Sequence, residues 1–198
     1  MFVIGLTGSI GMGKTTTAQL FAESNVPVHD ADATVHRLYE GEAAAAIEVA
    51  FPGTTKNHKV DRAALGKRIV GDADALKRLE AIVHPLVRQA ELRFLENAAN
   101  TGAKVALLDI PLLFETGGDK RVDAVVVVTA PADVQRARVL ERGIEPAQLE
   151  SLLARQMPDA EKRRRADFVV DTSRGIESAR AQVQDILSAV QKMPKRQI

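Results

Sequence analysis

The chain has 198 residues, enough for one sizeable core, and its charges nearly cancel at 27 Lys plus Arg against 26 Asp plus Glu. No global field therefore draws it to nucleic acid, and with no Trp, one Tyr and six Phe it lacks the stacking platforms that single strands need. Cysteine is absent, which excludes disulfides, thiolate metal sites and cysteine nucleophiles, and the four His lack metal-ligand spacing. The opening MFVIGLTGS has no basic n-region, and no stretch is apolar for the length of a membrane helix. The expectation is a cytoplasmic chain with small-molecule partners and neither a membrane nor a nucleic-acid partner; its oligomeric state is not written in the sequence.

In chain order, Phe2 to Leu6 reads as a buried strand and Thr15 to Glu23 as a helix, with Ala18, Phe21 and Ala22 on one side. Val26 to His29 is a second short strand, followed by Asp30-Ala31-Asp32. Helical spacing recurs over Ala33 to Tyr39 and Glu42 to Phe51, before a polar loop from Pro52 to Val60. Asp61 and Asp72 are placed to cap two further helices. A longer amphipathic helix is predicted from His84, with Pro85 in its first turn, to Asn100, closed by Gly102.

Lys104 to Ile110 and Val122 to Thr129 are near-continuous apolar, β-branched runs of the kind covered on both faces in a parallel sheet. Between them lies a loop, Pro111 to Arg121. Ala132 to Arg142 and Pro146 to Arg155 read as helices, Phe168 to Val170 as a last strand, and Ile176 to Val190 as a final helix. The basic tail Lys192 to Arg196 is expected to fray. Strands alternating with helices predict an α/β fold with a mostly parallel sheet flanked by helices, folded as one unit over residues 1–198.

Gly8-Ser9-Ile10-Gly11-Met12-Gly13-Lys14-Thr15 fits the phosphate-loop signature in full, with a strand before it and a helix after it. Such glycines let the backbone curl until successive N–H groups meet phosphate oxygens, and the helix amino end adds partial positive charge. Lys14 is expected on the β- and γ-phosphates and the Thr15 hydroxyl on Mg²⁺, so the implied ligands are ATP and Mg²⁺. Val105 to Asp109 has the shape of a Walker B strand. Asp109 either joins the metal shell or simply ends an apolar strand.

The signature serves switches, motors and kinases alike. A guanine-reading Asn-Lys-x-Asp is missing, which argues against a GTPase. Asp30 and Asp32 follow the second strand, where an α/β sheet gathers its ligands. A carboxylate there can take the proton of an alcohol as its oxygen attacks phosphorus, or Asp32 caps the helix starting at Ala33. Arg138 and Arg142, four apart on one helical face, suit a segment that closes over phosphates, or they belong to a solvated face. Lys162 to Arg165 admits the same two readings.

LTGSIGMGKTT and VPVHDAD resemble the opening of dephospho-coenzyme A kinases. LEAIVHPLV over 79–87 is similar to that family's His-Pro element, and DIPLLFE over 109–115 to its Pro-Leu-Leu-x-Glu segment. Gln135-x-x-Arg138-x-x-x-Arg142, Leu153-x-x-Gln156, Ala166-Asp167 and Val170-Asp171 resemble its lid and closing strand, in one order over about residues 1–190. The resemblance implies transfer of the ATP γ-phosphoryl group to the ribose 3′-hydroxyl of dephospho-coenzyme A, the last step of coenzyme A synthesis. It implies a nucleotide-binding core, a helical acceptor-binding region over about 33–100 and a lid over about 131–165.

By position it makes Asp32 the general base, with Lys14 and Arg138 steadying the transferring group. Gly8, Gly11, Met12, Gly13, Thr15, Thr16 and Arg142 would lie on the phosphates, and Asp171 to Arg174 near adenine. His84 and Glu115 would lie on the acceptor side, though His84 before a Pro is also an ordinary helix-start feature. Ser9, Met12 and Thr15 depart from the residues common there, at variable positions or with an equivalent hydroxyl. The rival readings are another metabolite kinase, acting on shikimate, gluconate or a nucleoside, and a nucleotide-gated binding module without catalysis.

Overall fold

The structure, a computed structural model, describes residues 1–196. Its elements begin β1 (Phe2–Thr7), α1 (Lys14–Glu23), β2 (Val28–Asp30), α2 (Ala31–Tyr39) and α3 (Ala44–Ala50). Next come β3 (Thr55–Lys56), β4 (Lys59–Val60), α4 (Arg62–Ile69), α5 (Ala73–Asn100) and β5 (Val105–Asp109). A 3₁₀ turn at Gly118–Arg121 leads to β6 (Ala124–Thr129), α6 (Ala132–Glu141), α7 (Pro146–Leu153) and α8 (Asp159–Arg165). β7 (Phe168–Asp171) and α9 (Ile176–Val190) complete the order. The chain divides into two compact units, one of Met1–His29 with Ala98 onward, the other of Asp30–Asn97.

The first unit is built on a five-stranded sheet of order β2-β5-β1-β6-β7. β5, β1, β6 and β7 run parallel, with Leu6 opposite Asp109, Thr7 opposite Val127 and Thr129 opposite Asp171. All residues of β5 and nearly all of β6 are buried, as their uninterrupted apolar runs require of strands covered on both faces. Leu20 and Phe21 of α1 and Val183 and Ile186 of α9 pack with Ile4, Leu6, Leu107, Val126 and Val128 into the core. Parallel pairing brings the ends of β1, β5, β6 and β7 to one edge, where Asp109 ends β5 and Gly8, Ala130 and Thr172 follow the other three. The basic tail does not fray at Arg196: its N–H donates to Asp123 and its guanidinium to both oxygens of Asp167, at 2.7 and 2.9 Å.

The second unit holds its own core of Leu38, Ile47, Phe51, Leu65, Leu79 and Val83. Asp61 caps α4 through Ala64 N at 3.0 Å, and Asp72 accepts from Asp74 N and Ala75 N at the start of α5, as their sequence positions predict. Residues 52–60, expected as plain loop, contain the β3–β4 hairpin, whose turn residues Asn57 and His58 both lie at positive φ (51° and 61°). A larger difference is α5, which runs unbroken from Ala73 through Pro85, so His84 sits mid-helix and not at a helix start. An interior Pro forfeits one backbone bond at a cost of about 3 kcal/mol. The helix carries it because Leu79 and Val83, six and two residues before it, are anchored in the core.

Candidate active site

The loop between β1 and α1 is shaped from outside. Gly11 (φ +78°) and Gly13 (φ +92°) hold left-handed backbone that a side chain would strain. A Cβ on Gly11 would stand 2.6 Å from Val139 Cγ2 and 3.1 Å from the Gln135 carbonyl, so glycine is also what lets α6 pack against the loop. Gln135 Nε2 donates to Ile10 O at 2.7 Å. Thr172 Oγ1 donates to Met12 O at 2.8 Å, and the Met12 sulfur accepts from Ala130 N. No side chain caps α1 at Gly13, which leaves its first N–H groups for an anion.

Lys14, the first residue of α1, donates through Nζ to Asp109 Oδ1 at 2.6 Å, with both side chains largely out of solvent (18% and 5% exposed). The strand end thus holds the cation at the loop while the Thr15 and Thr16 side chains remain outward. The Thr15 hydroxyl and Asp109 carboxylate are hard oxygen donors, and Mg²⁺ usually takes one or two protein oxygens beside phosphates and water. They fit that ion.

Arg138 spends two of its five donors on Thr172, Nη1 to Oγ1 at 2.7 Å and Nη2 to the carbonyl at 2.8 Å. Together with Gly13, Thr16, Thr17, Arg142 and Thr172 it lines a cavity of about 500 Å³, which also takes in Glu141, Gly175 and Ile176. A second cavity of about 440 Å³ opens at the ends of β6 and β7, edged by Thr129, Asp159, Arg163 and Asp171. Thr129 Oγ1 donates to Asp159, which also receives Arg163 Nε at 2.8 Å. The Asp171 carboxyl is held below its usual range, first by the Ser173 N–H at 2.8 Å. Lys14 paired to a strand-end carboxylate, under an uncapped helix and beside a cavity carrying two arginines, is a site for a nucleoside polyphosphate.

A family model described as dephospho-CoA kinase matches residues 2–178. The chain belongs to the dephospho-CoA kinase family. Proteins named dephospho-CoA kinase from Rhodopseudomonas palustris (strain HaA2) and Bradyrhizobium diazoefficiens are 64% and 62% identical to it over 197 residues, 99% of each chain. Among solved structures, TT1252 from Thermus thermophilus is 33% identical (TM-score 0.86; 97% of this chain, 98% of that one). The dephospho-CoA kinase from Campylobacter jejuni is 26% identical (TM-score 0.70; 96% and 97%). A shikimate kinase from Acinetobacter baumannii, at 19% identity and TM-score 0.54, shares the fold.

The first unit carries the loop residues Gly8, Gly11, Met12, Gly13, Lys14, Thr15 and Thr16, with Asp109 on Lys14, Arg138 and Arg142 on the cavity shared with Gly13 and Thr16, and Asp171 on the second cavity with Met12. Arg174 is exposed in the turn after β7 and is not among the cavity's lining residues. Asp32 and His84 belong to the second unit, both exposed. Asp32 is not the cap of α2: the helix starts at Ala31, and Asp30 Oδ1 accepts from Ala33 N at 2.9 Å. The strand and cap each lie closer together than the sequence pattern suggested, and Asp32 is left in the first helical turn.

Glu115 is already engaged within its own unit, accepting from Met157 N at 2.7 Å and facing Lys162 Nζ at 3.1 Å. Burial pushes its carboxyl up, but the Met157 N–H, its own N–H and Lys162 outweigh that and leave it below the usual range. Lys162 is fully buried, and its neighbour Arg165 lies 4.4 Å over the Phe114 ring and donates to Asp119. The 162–165 run is therefore half anchor, in a helix that the sequence did not announce. Sequence reading gave Gln135 no role inside the quoted Gln-x-x-Arg element, placed Thr172 only within the stretch expected near adenine, and read Lys162 as covering phosphates or solvated; their grips on Ile10, Met12 and Glu115 come from the structure.

Proposed function

We propose that this chain transfers the γ-phosphoryl group of ATP to the ribose 3′-hydroxyl of dephospho-coenzyme A, with Asp32 as base and the loop of residues 8–15 as phosphate cradle. The Lys14–Asp109 pair beneath the uncapped end of α1 is the observation that carries it. ATP phosphates displace Lys14 toward their own charge, Thr16 meets the α-phosphate, and the cavity walled by Arg138 and Arg142 takes the nucleoside. Arg138 keeps three donors beyond those given to Thr172. Thr15 and Asp109 would hold Mg²⁺, which supplies charge neutralisation for the β- and γ-oxygens.

Acceptor recognition is assigned to the second unit, which carries Asp32 and His84. The ribose oxygen attacks phosphorus, its proton passes to the Asp32 carboxylate, and the bond to the ADP oxygen breaks. Glu115 serves the acceptor side indirectly, by fixing the base of the lid. Gln135 and Val139 tie α6, the amino end of the expected lid, to the loop. The reaction takes place in the cytoplasm, and among the described residues no helix is long and apolar enough to cross a membrane.

The purified chain is mixed with MgATP and, separately, dephospho-coenzyme A, shikimate or uridine, and ADP release is followed by enzymatic coupling. Fast ADP release with dephospho-coenzyme A alone is expected. Preference for shikimate or uridine overturns the acceptor, and slow hydrolysis indifferent to all three overturns catalysis.

A further inference from the structure

The phosphate loop is gripped at two of its carbonyls by side chains that no phosphate contact explains. Gln135 Nε2 holds Ile10 O at 2.7 Å from α6, and Thr172 Oγ1 holds Met12 O at 2.8 Å from just past β7. Both side chains are buried, at 7% and 8% exposure. Thr172 is itself fixed: its N–H donates to Thr129 O at 3.0 Å and its hydroxyl and carbonyl receive Arg138. It also lies under Gly13, where a Cβ would stand 3.1 Å from its Oγ1 and Cγ2.

A trans peptide is planar, and its C=O and N–H point in opposite directions. The Ile10 carbonyl shares its plane with the Gly11 N–H, and the Met12 carbonyl with the Gly13 N–H; neither bond is cis. Pulling both carbonyls outward turns both N–H groups toward the inside of the loop. Gly11 and Gly13 are the residues whose positive φ makes those two orientations accessible.

We infer that Gln135 and Thr172 are positioning residues that aim the Gly11 and Gly13 N–H groups at the nucleotide's phosphates before it arrives. The inference rests on the phosphate-cradle reading above. Preorganised donors cost no reorganisation when the ligand binds, so losing a grip weakens phosphate affinity without touching the base. Arg138 acts through Thr172 in the same clamp.

The test is calorimetric titration of the intact protein with MgATP, inorganic tripolyphosphate and adenosine. Thr172→Val keeps shape and loses the hydroxyl; Gln135→Leu loses the amide. Each variant is expected to weaken ATP and tripolyphosphate by about tenfold, the size of one buried hydrogen bond with its acceptor left unpaired. For Gln135→Leu, which lies outside the nucleoside cavity, adenosine affinity stays within about twofold by the same reasoning, and Thr172→Ser restores the wild-type pattern.

A parallel loss of adenosine affinity would mean that Thr172 only walls the nucleoside cavity, and unchanged tripolyphosphate affinity would mean that the grips position nothing. Either overturns the inference. Should a variant fail to fold, amide NMR of the wild type decides. Tripolyphosphate must shift the Gly11 and Gly13 N–H resonances strongly, and silence at both sinks the clamp. Wild-type protein that binds neither ATP nor tripolyphosphate would instead fault the cradle itself.

Discussion

Replacing Gly11 with Ala probes the contact between the phosphate loop and α6, and its cost follows from the geometry. Ala at φ +78° carries the left-handed penalty of about 1–2 kcal/mol. The new Cβ would lie 2.6 Å from Val139 Cγ2, on a side chain with no solvent exposure, and overpacking of this kind costs roughly 1–3 kcal/mol. The sum, about 2–5 kcal/mol, lowers Tm by roughly 4–20 °C at about 2–4 °C per kcal/mol for a chain of this size. Relief requires the loop to withdraw from α6, which stretches the Gln135–Ile10 bond, so ATP affinity falls as well.

Calorimetric melting and ATP titration of Gly11→Ala, Val139→Ala and the double variant form a cycle. Coupling of about 0.5–3 kcal/mol in the double variant's favour is expected, because removing the Val139 methyls clears the clash and leaves only the backbone strain. Gly11→Ala melting within about 1 °C of wild type, with ATP affinity unchanged, would refute the packing argument.

Lys14→Ala should abolish turnover and also destabilise the free enzyme by about 1–3 kcal/mol, because the Asp109 carboxylate is left buried without its cation. Adding Asp109→Asn should recover the melting temperature but not the activity; recovered activity would unseat Lys14. Asp32→Asn should lower kcat by about 10²–10⁴-fold with ATP affinity unchanged, as measured by steady-state kinetics and titration. Since Asp30 caps α2, no helix-capping loss clouds that result, and an unaltered kcat removes Asp32 from the chemistry.

Glu115 titrates lower folded than unfolded, so its stabilising share is complete above the unfolded value of about 4.3 and disappears as pH falls through the lowered folded value. Glu115→Gln should therefore flatten the fall of Tm below about pH 4.3, and an unchanged acid slope would show that its bonds to Met157 and Lys162 contribute nothing.

The parallel core was legible because β5 and β6 are apolar without interruption, and the loop because its glycines, Lys14 and Thr15 stand at fixed spacing between strand and helix. Helix starts at Asp61 and Asp72 were legible for the same local reason, a short side chain capping N–H groups three residues on. Pro85 misled, since a proline's local preference to start a helix yields to tertiary packing of Leu79 and Val83. The Asn57-His58 turn lacked the glycine that usually marks paired positive φ angles. The 162–165 run hid a buried anchor because its lysine partner, Glu115, is 47 residues away in sequence. The grips of Thr172 and Gln135 were invisible for the same reason: they act on carbonyls more than a hundred residues distant, and nothing in local spacing encodes that.

The central claim is transfer to one particular hydroxyl, and deoxy analogues address it directly. The enzyme is given MgATP with dephospho-coenzyme A lacking either the 2′- or the 3′-hydroxyl of the ribose, and phosphate incorporation is read by ³¹P NMR. The 2′-deoxy analogue should be phosphorylated and the 3′-deoxy analogue should leave ATP unconsumed; phosphate appearing on the 3′-deoxy analogue would contradict the account.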